Sequence, residues 1–169
     1  MVRESRLPGL WHVRRGAGTE AVHEVVVAEV PNLLREAAAA EASSEIPIPV
    51  AEGSVHGRAL LLRIAQCLKG LALEDTSTLF DLTHCPLSSD DHALIDRTLK
   101  TGTVWGWSLG YPACQAVTTS VRCIWRVRYR NGDKLVLDTI EIVDIPAVLR
   151  AQREDIDDSL TRFDTLLRE

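Results

Sequence analysis

The strongest constraint on the fold is the dipeptide Asn131-Gly132 and the alternating residues on both sides of it. Asn-Gly is typical of a two-residue hairpin turn because both residues accept a positive φ. The segment from Cys123 to Tyr129 alternates, with Trp125, Val127 and Tyr129 on one face and Arg126 and Arg128 on the other, and residues 134–143 continue with β-prone side chains. A period of two is typical of strands with one buried face. We therefore expect an antiparallel hairpin within 123–143, with Trp125 and Val127 facing the core.

The remaining patterns place this hairpin in an α+β fold. Segments 104–109 and 115–120 predict two further strands, and Thr78 to Leu82 predicts a short one. Helical spacing and capping signals predict helices that begin near Val55, Ser88 and Pro146. This order of elements favours an antiparallel sheet of about four to five strands with helices packed on one face.

The last helix carries an apolar stripe, formed by Leu149, Ile156, Leu160, Phe163 and Leu167. Helical spacing of these residues predicts that the stripe packs on the sheet. On this interpretation Leu160→Ala lowers the free energy of unfolding by ~2–5 kcal/mol, the range for emptying a buried leucine site.

Glycine and proline divide the chain into two parts. Residues 1–20 show no sustained period and predict a loose arm, and Pro47-x-Pro49 predicts an extended linker. We expect residues 1–52 to be an N-terminal appendage and linker and residues 53–169 to be a single α+β domain. A chain of 169 residues with 46% hydrophobic residues is large enough to fold without a metal or a disulfide.

Charge and cysteine usage indicate the cellular setting. The net charge of -5 argues against nucleic acid as the main partner. The N-terminal residues lack the apolar stretch of a secretory signal, and no apolar run is long enough to insert into a membrane. None of the four cysteines forms Cys-x-x-Cys. We therefore expect reduced thiols, a cytoplasmic location, and neither a structural disulfide nor a structural metal.

Familiar catalytic motifs are absent from the sequence. It contains no glycine-rich nucleotide loop, no Gly-x-Ser-x-Gly elbow and no His-Glu-x-x-His motif. The nearest approach to a pair of metal ligands is His84-Cys85, which reads more simply as a loop histidine beside a packed cysteine. We expect no cofactor and no catalytic residue set.

Three features keep a binding or catalytic role open. Cys114, after the turn at 110–113, is either a structural thiol or a nucleophile activated by a neighbouring histidine or helix. Trp105 and Trp107 share a strand face and form either core or an aromatic platform. A basic stripe runs beside them, formed by Arg122, Arg126, Arg128 and Arg130. Such a stripe either contacts RNA or lies solvated and pairs with acidic neighbours such as Asp138 and Glu141.

Several segments in order resemble one family. Three segments resemble the C-terminal region of the HupH-type hydrogenase expression/formation proteins. They are the run Cys-Ile-Trp-Arg-Val-Arg-Tyr-Arg-Asn-Gly-Asp from Cys123, residues 137–146 and residues 153–159. Residues 80–87 with Asp91, and Gly110-Tyr111 with Cys114, are similar to further elements of that family. The resemblance covers about residues 55–160.

The resemblance implies an accessory, chaperone-like protein for maturation of nickel–iron uptake hydrogenases. Its implied partners are the precursor of the iron–sulfur small subunit or other hydrogenase maturation proteins, and it implies no catalytic residues. The contact residues we expect for such a partner are Trp105, Trp107, Tyr111 and Cys114, because exposed aromatic side chains concentrate interface energy. A small cysteine-dependent enzyme and a generic peptide- or RNA-binding module remain the alternatives.

Overall fold

A computed structural model describes residues 1–40, 42–49, 54–71 and 77–166. The strands are β1 (Val2–Glu4), β2 (Leu10–Arg15), β3 (Val22–Val27), β4 (Thr78–Asp81), β5 (Thr101–Ser108), β6 (Ala113–Thr119), β7 (Ile124–Asn131) and β8 (Lys134–Ile142). The α-helices are α1 (Asn32–Ala39), α2 (Val55–Leu71), α3 (Ser89–Leu99) and α4 (Arg153–Leu166). The chain forms two compact units, Met1–Ala37 with Leu149–Glu169, and Ala38–Val148.

The larger unit is built on a five-stranded antiparallel sheet in the order β4-β8-β7-β6-β5. The α+β class, the antiparallel pairing and the strand number predicted from the sequence are confirmed. One face of the sheet carries Ile124, Ile140 and Ile142, which pack with apolar residues of α2 and α3 in one buried cluster. Helices therefore cover this face of the sheet.

The β7–β8 hairpin forms where the Asn-Gly dipeptide predicts it. Asn131 pairs with Lys134, so Gly132-Asp133 makes the turn, one residue later than the dipeptide, and Gly132 has a φ of 57°. Trp125 and Val127 are buried as predicted. They lie on the opposite face from Ile124, so the α2 and α3 cluster does not include them.

The start of α3 connects the two helices of this unit through one buried carboxylate. Ser88 and Asp91 form the reciprocal capping box that their spacing predicts. The Asp91 carboxylate also accepts a hydrogen bond from the backbone N–H of Gly57 in α2. Hydrogen bonds from the Ser54 and Ser88 hydroxyls hold the pKa of Asp91 well below its ordinary value.

The smaller unit corrects the expectation of a loose N-terminal arm. β1, β2 and β3 form a three-stranded antiparallel sheet in that order. Trp11 and Val13 alternate on β2 and pack with Ala151 and Ile156, while the indole of Trp11 donates to the carbonyl oxygen of Ala28 at 2.7 Å. The strands are short and glycines lie between them, so their alternating pattern is too brief to be recognised in the sequence.

The prediction that the apolar stripe of the last helix is buried is also wrong. Ile156 is partly buried against Trp11, but Leu160 and Phe163 of α4 are 56% and 47% exposed. Leu167 lies outside the described residues. Helical spacing places residues on one side of a helix without fixing how much of that side is covered. None of the described helices combines the length and the apolar character needed to cross a membrane.

A tryptophan pair and an arginine groove on one face of the sheet

β5 is the edge strand of the larger sheet, and it places two indoles in solvent. Trp105 and Trp107 are 46% and 61% exposed, and their rings stack with centroids 6.1 Å apart. Their side chains therefore form an exposed aromatic platform and are not part of the core. The eight residues of β5 include no charged side chain, and within the described residues no strand pairs with its outer edge.

Strand register extends this face inward from the tryptophans. Trp107 lies opposite Gln115, which lies opposite Arg128, which lies opposite Asp138. A parallel row runs from Trp105 through Val117 and Arg126 to Ile140. Beside the end of α3 these rows enclose an open groove of about 220 Å³, called here the arginine groove. It is lined by Ile95, Asp96, Leu99, Lys100, Thr101, Trp105, Gln115, Val117, Thr118, Thr119, Arg126, Arg128 and Ile140.

One ion pair fixes the position of Arg126, a lining residue of the arginine groove. The Nε and Nη2 atoms of Arg126 donate to the two carboxylate oxygens of Asp138 at 2.5 and 2.7 Å. Arg126 also reaches Asp96 at 3.4 Å. The backbone N–H of Asp138 donates to the hydroxyl of Thr83 at 2.7 Å, so the backbone that carries the carboxylate is fixed as well. Of the two alternatives that the sequence leaves open for the arginine stripe, Arg126 and Arg128 follow the one in which an acidic neighbour, Asp138, pairs with them.

Arg128 is the more available of the two arginines that line this groove. Its Nε lies 3.3 Å from each carboxylate oxygen of Asp138, and its side chain is 37% exposed. Among the described residues neither of its terminal nitrogens has a hydrogen-bond partner. Arg128 therefore presents guanidinium N–H groups to the groove while Asp138 fixes its position.

The four contact residues that the sequence predicts do not share one face. Tyr111 is exposed in the loop between β5 and β6. Cys114 pairs with Ser108 and is only 4% exposed, on the face opposite Trp107. Gln115, Arg128 and Asp138 are not among the predicted contact residues, because the row that joins them depends on the register across three strands.

The environment of Cys114 is the reverse of what a nucleophile needs. Burial raises the pKa of its thiol to about 11. Burial likewise raises the pKa of the neighbouring Tyr129 to about 12, and it raises the pKa of Glu141. A reactive cysteine needs a lowered pKa and access to solvent. This site favours a structural thiol.

The loop after β4 holds the histidine and cysteine that the sequence marks as the nearest pair of ligands. His84 contacts Asp81 through Nδ1 and Oδ2 at 2.7 Å, and Cys85 is exposed. Over the described ranges no group of three or more His, Cys, Asp or Glu side chains is placed to hold a metal ion. All four cysteines are free thiols.

Comparison with known proteins assigns these elements to a family. Residues 55–169 match the family described as HupH hydrogenase expression protein, C-terminal conserved region. The chain is 33% identical over 169 residues to the hydrogenase expression/formation protein HupH of Rhodobacter capsulatus. This alignment covers 99% of this chain and 60% of that protein. It is 32% identical over 168 residues to HupQ of Azotobacter chroococcum mcd 1, covering 96% of this chain and 59% of that protein. The chain thus spans about 60% of the length of these relatives.

A solved structure shows the same fold. The hydrogenase expression protein HupH from Thiobacillus denitrificans superposes with a TM-score of 0.60 at 24% sequence identity. The superposition covers 69% of this chain and 97% of that one.

Proposed function

Because the chain belongs to the family of HupH hydrogenase expression proteins, we propose that it is an accessory protein of nickel–iron hydrogenase maturation that binds the precursor of the iron–sulfur small subunit. The observation that carries the proposal is the exposed, stacked pair Trp105 and Trp107 on an uncharged edge strand. The relatives are named as hydrogenase expression/formation proteins, which supports an accessory role.

The physical need for such a protein follows from the chemistry of the client. A small subunit without its clusters exposes cysteine ligands and the apolar surface around them. A protein that binds this form and not the unfolded chain lowers the concentration of aggregation-prone species by mass action. Exposed tryptophans are well suited to this contact because Trp is enriched among the residues that dominate binding energy. We place this binding in the cytoplasm, before the subunit is exported.

The two alternative functions have less support from the site. The buried, high-pKa thiol of Cys114 argues against a cysteine-dependent enzyme. A generic RNA-binding stripe needs several free cations, but Arg126 is bonded to Asp138 and Asp96, and Arg128 contacts Asp138. Glu141, the other predicted partner of the stripe, pairs with Trp125 in register and lies on the opposite face.

The test is capture of the purified small-subunit precursor by the 169-residue chain and its Trp107→Ala variant. We expect Trp107→Ala to lose affinity by about tenfold or more, the effect of removing a residue that dominates an interface. Phe163→Ala is the matched control, because Phe163 is a large aromatic residue on α4 with a similar exposure of 47%. Equal capture by the two variants would refute the proposed contact surface.

A deletion strain tests the function itself. We expect it to make the hydrogenase structural subunits while active enzyme is scarce. Complementation with the wild-type chain should restore activity, and complementation with Trp107→Ala should not. Normal hydrogenase activity in the deletion strain under all conditions would contradict the maturation role.

A further inference from the structure

We propose that the arginine groove selects an acidic residue in the bound segment: Arg128 pairs with an Asp or Glu side chain whose apolar neighbour lies over Trp105. This inference rests on the proposed function, because it specifies the chemistry of the partner at the same face of the sheet. It assigns to Arg128 the selection of charge and to the tryptophan pair the apolar contact.

The size of the groove indicates what it holds. Its volume is about 220 Å³, below the ~300–1,000 Å³ of pockets that enclose a whole small molecule. A volume of this size suits one or two side chains of a larger partner. The groove is open and is lined by Trp105, whose ring stacks on that of Trp107, so a partner segment can enter it while it contacts β5.

The charges around the groove set the sign of that side chain. Lys100, Arg126 and Arg128 supply three positive charges against the two carboxylates of Asp96 and Asp138. Both carboxylates contact Arg126. The groove therefore carries a net charge of +1, and one carboxylate of a partner would neutralise it.

The geometry of Arg128 favours a carboxylate over other acceptors. A guanidinium group presents two parallel N–H bonds that match the two oxygens of a carboxylate. The contact from Nε to Asp138 holds Arg128 in place and leaves its terminal nitrogens without a partner among the described residues. A group that is already held loses less conformational entropy when it binds.

A peptide segment fits this site better than a nucleic acid. Binding of nucleic acid draws on many phosphate contacts, whereas this groove offers one net positive charge beside the tryptophan pair. The occupant we propose is an extended segment of the small-subunit precursor in which an acidic residue lies within about two positions of an aromatic or aliphatic one.

Overlapping peptides that cover the precursor sequence test the inference on the intact 169-residue chain. Fluorescence titration should show binding by peptides that contain the acidic–apolar pair. Replacing Asp by Asn, or Glu by Gln, in those peptides should weaken binding by about tenfold or more, since the carboxylate bonds to a charged donor. If the neutral peptides bind the wild-type chain as tightly as the acidic ones, the inference is wrong.

Protein variants give an independent readout. Arg128→Gln should lower the affinity for an acidic peptide and leave that for its neutral analogue unchanged, and Arg128→Lys should recover part of the loss. Arg130→Gln is the matched control, because Arg130 lies on the same strand and bonds only the Asp133 carbonyl at the exposed hairpin end. Equal effects of the two Gln variants would contradict the role of Arg128.

The outcomes separate the two proposals. If Trp107→Ala loses the precursor and Arg128→Gln does not, the selection of an acidic residue is wrong and the proposed function stands. If neither variant loses the precursor, both proposals fail at this face. If the chain binds homopolymeric RNA more tightly than the acidic peptides, the assigned class of partner is wrong.

Discussion

Asp138→Asn tests whether the ion pair between Arg126 and Asp138 stabilises the fold as well as the site. The side chains of Arg126 and Asp138 are 12% and 11% exposed, so water screens the pair poorly. Asparagine keeps the shape and removes the charge, which leaves the Arg126 guanidinium largely buried without its carboxylate. Breaking one partner of a buried pair costs ~3–5 kcal/mol.

The lower end of that range applies here. Arg126 keeps its contact with Asp96 at 3.4 Å, and the asparagine amide oxygen still accepts one hydrogen bond. We therefore expect Asp138→Asn to lower the free energy of unfolding by ~3 kcal/mol. With a urea dependence of ~2 kcal/mol per molar, the midpoint of unfolding falls by ~1.5 M.

The measurement is urea unfolding followed by far-ultraviolet circular dichroism. Asp133→Asn is the control, because Asp133 is an exposed aspartate in the turn of the same hairpin, and a surface change there should stay within ~0.5 kcal/mol. The double variant Arg126→Met with Asp138→Asn should lose less than the two single changes together, since it leaves no buried charge unpaired. A midpoint for Asp138→Asn equal to that for Asp133→Asn would refute the reasoning.

Three further predictions address the core, a close strand contact and a buried thiol. Ile64→Ala should cost ~2–5 kcal/mol in urea unfolding because Ile64 is fully buried, whereas Leu160→Ala, at an exposed site, should stay within ~1 kcal/mol. Gly102→Ala should destabilise by ~1–3 kcal/mol, because its Cβ would lie 2.7 Å from the backbone carbonyl oxygen of Thr119 and would clash with the Thr118 hydroxyl; Gly110→Ala, whose Cβ would make only an ordinary contact with the Ser108 hydroxyl at 3.7 Å, should not change the midpoint. The folded pKa of Cys114 is about 11 against an ordinary 9.0, so the stability from the neutral thiol is present below pH 9 and lost as the pH rises through 11. The urea midpoint of Cys114→Ala should therefore decrease less steeply between pH 9 and pH 11 than that of the wild type. An equal decrease in both proteins would contradict the burial of the thiol.

Local signals account for the parts of the fold that the sequence predicts correctly. The β7–β8 turn and the Ser88–Asp91 capping box each depend on residues a few positions apart. The stripe of α4 fails because burial at Leu160 depends on which element lies opposite, and a helical period carries no such information.

The site required knowledge of the strand register. A regular hairpin that pairs Asn131 with Lys134 would place Arg128 opposite Leu137. The irregularity between Tyr129 and Arg130 shifts the register by one residue and brings Arg128 opposite Asp138 instead. A one-residue shift changes which side chains share a face, so this row cannot be read from alternation alone. The exposure of the tryptophans likewise depends on β5 lying at the edge of the sheet.

The uncharged edge of β5 has a consequence for the free protein. Edge strands usually carry charges or prolines that prevent pairing with a second molecule, and the eight residues Thr101–Ser108 have neither. The backbone of another copy can therefore compete with a client for the same edge. The ratio of accessory protein to client then decides between client binding and self-association. Chains in excess over the client would pair through β5 with one another and would no longer be able to bind it.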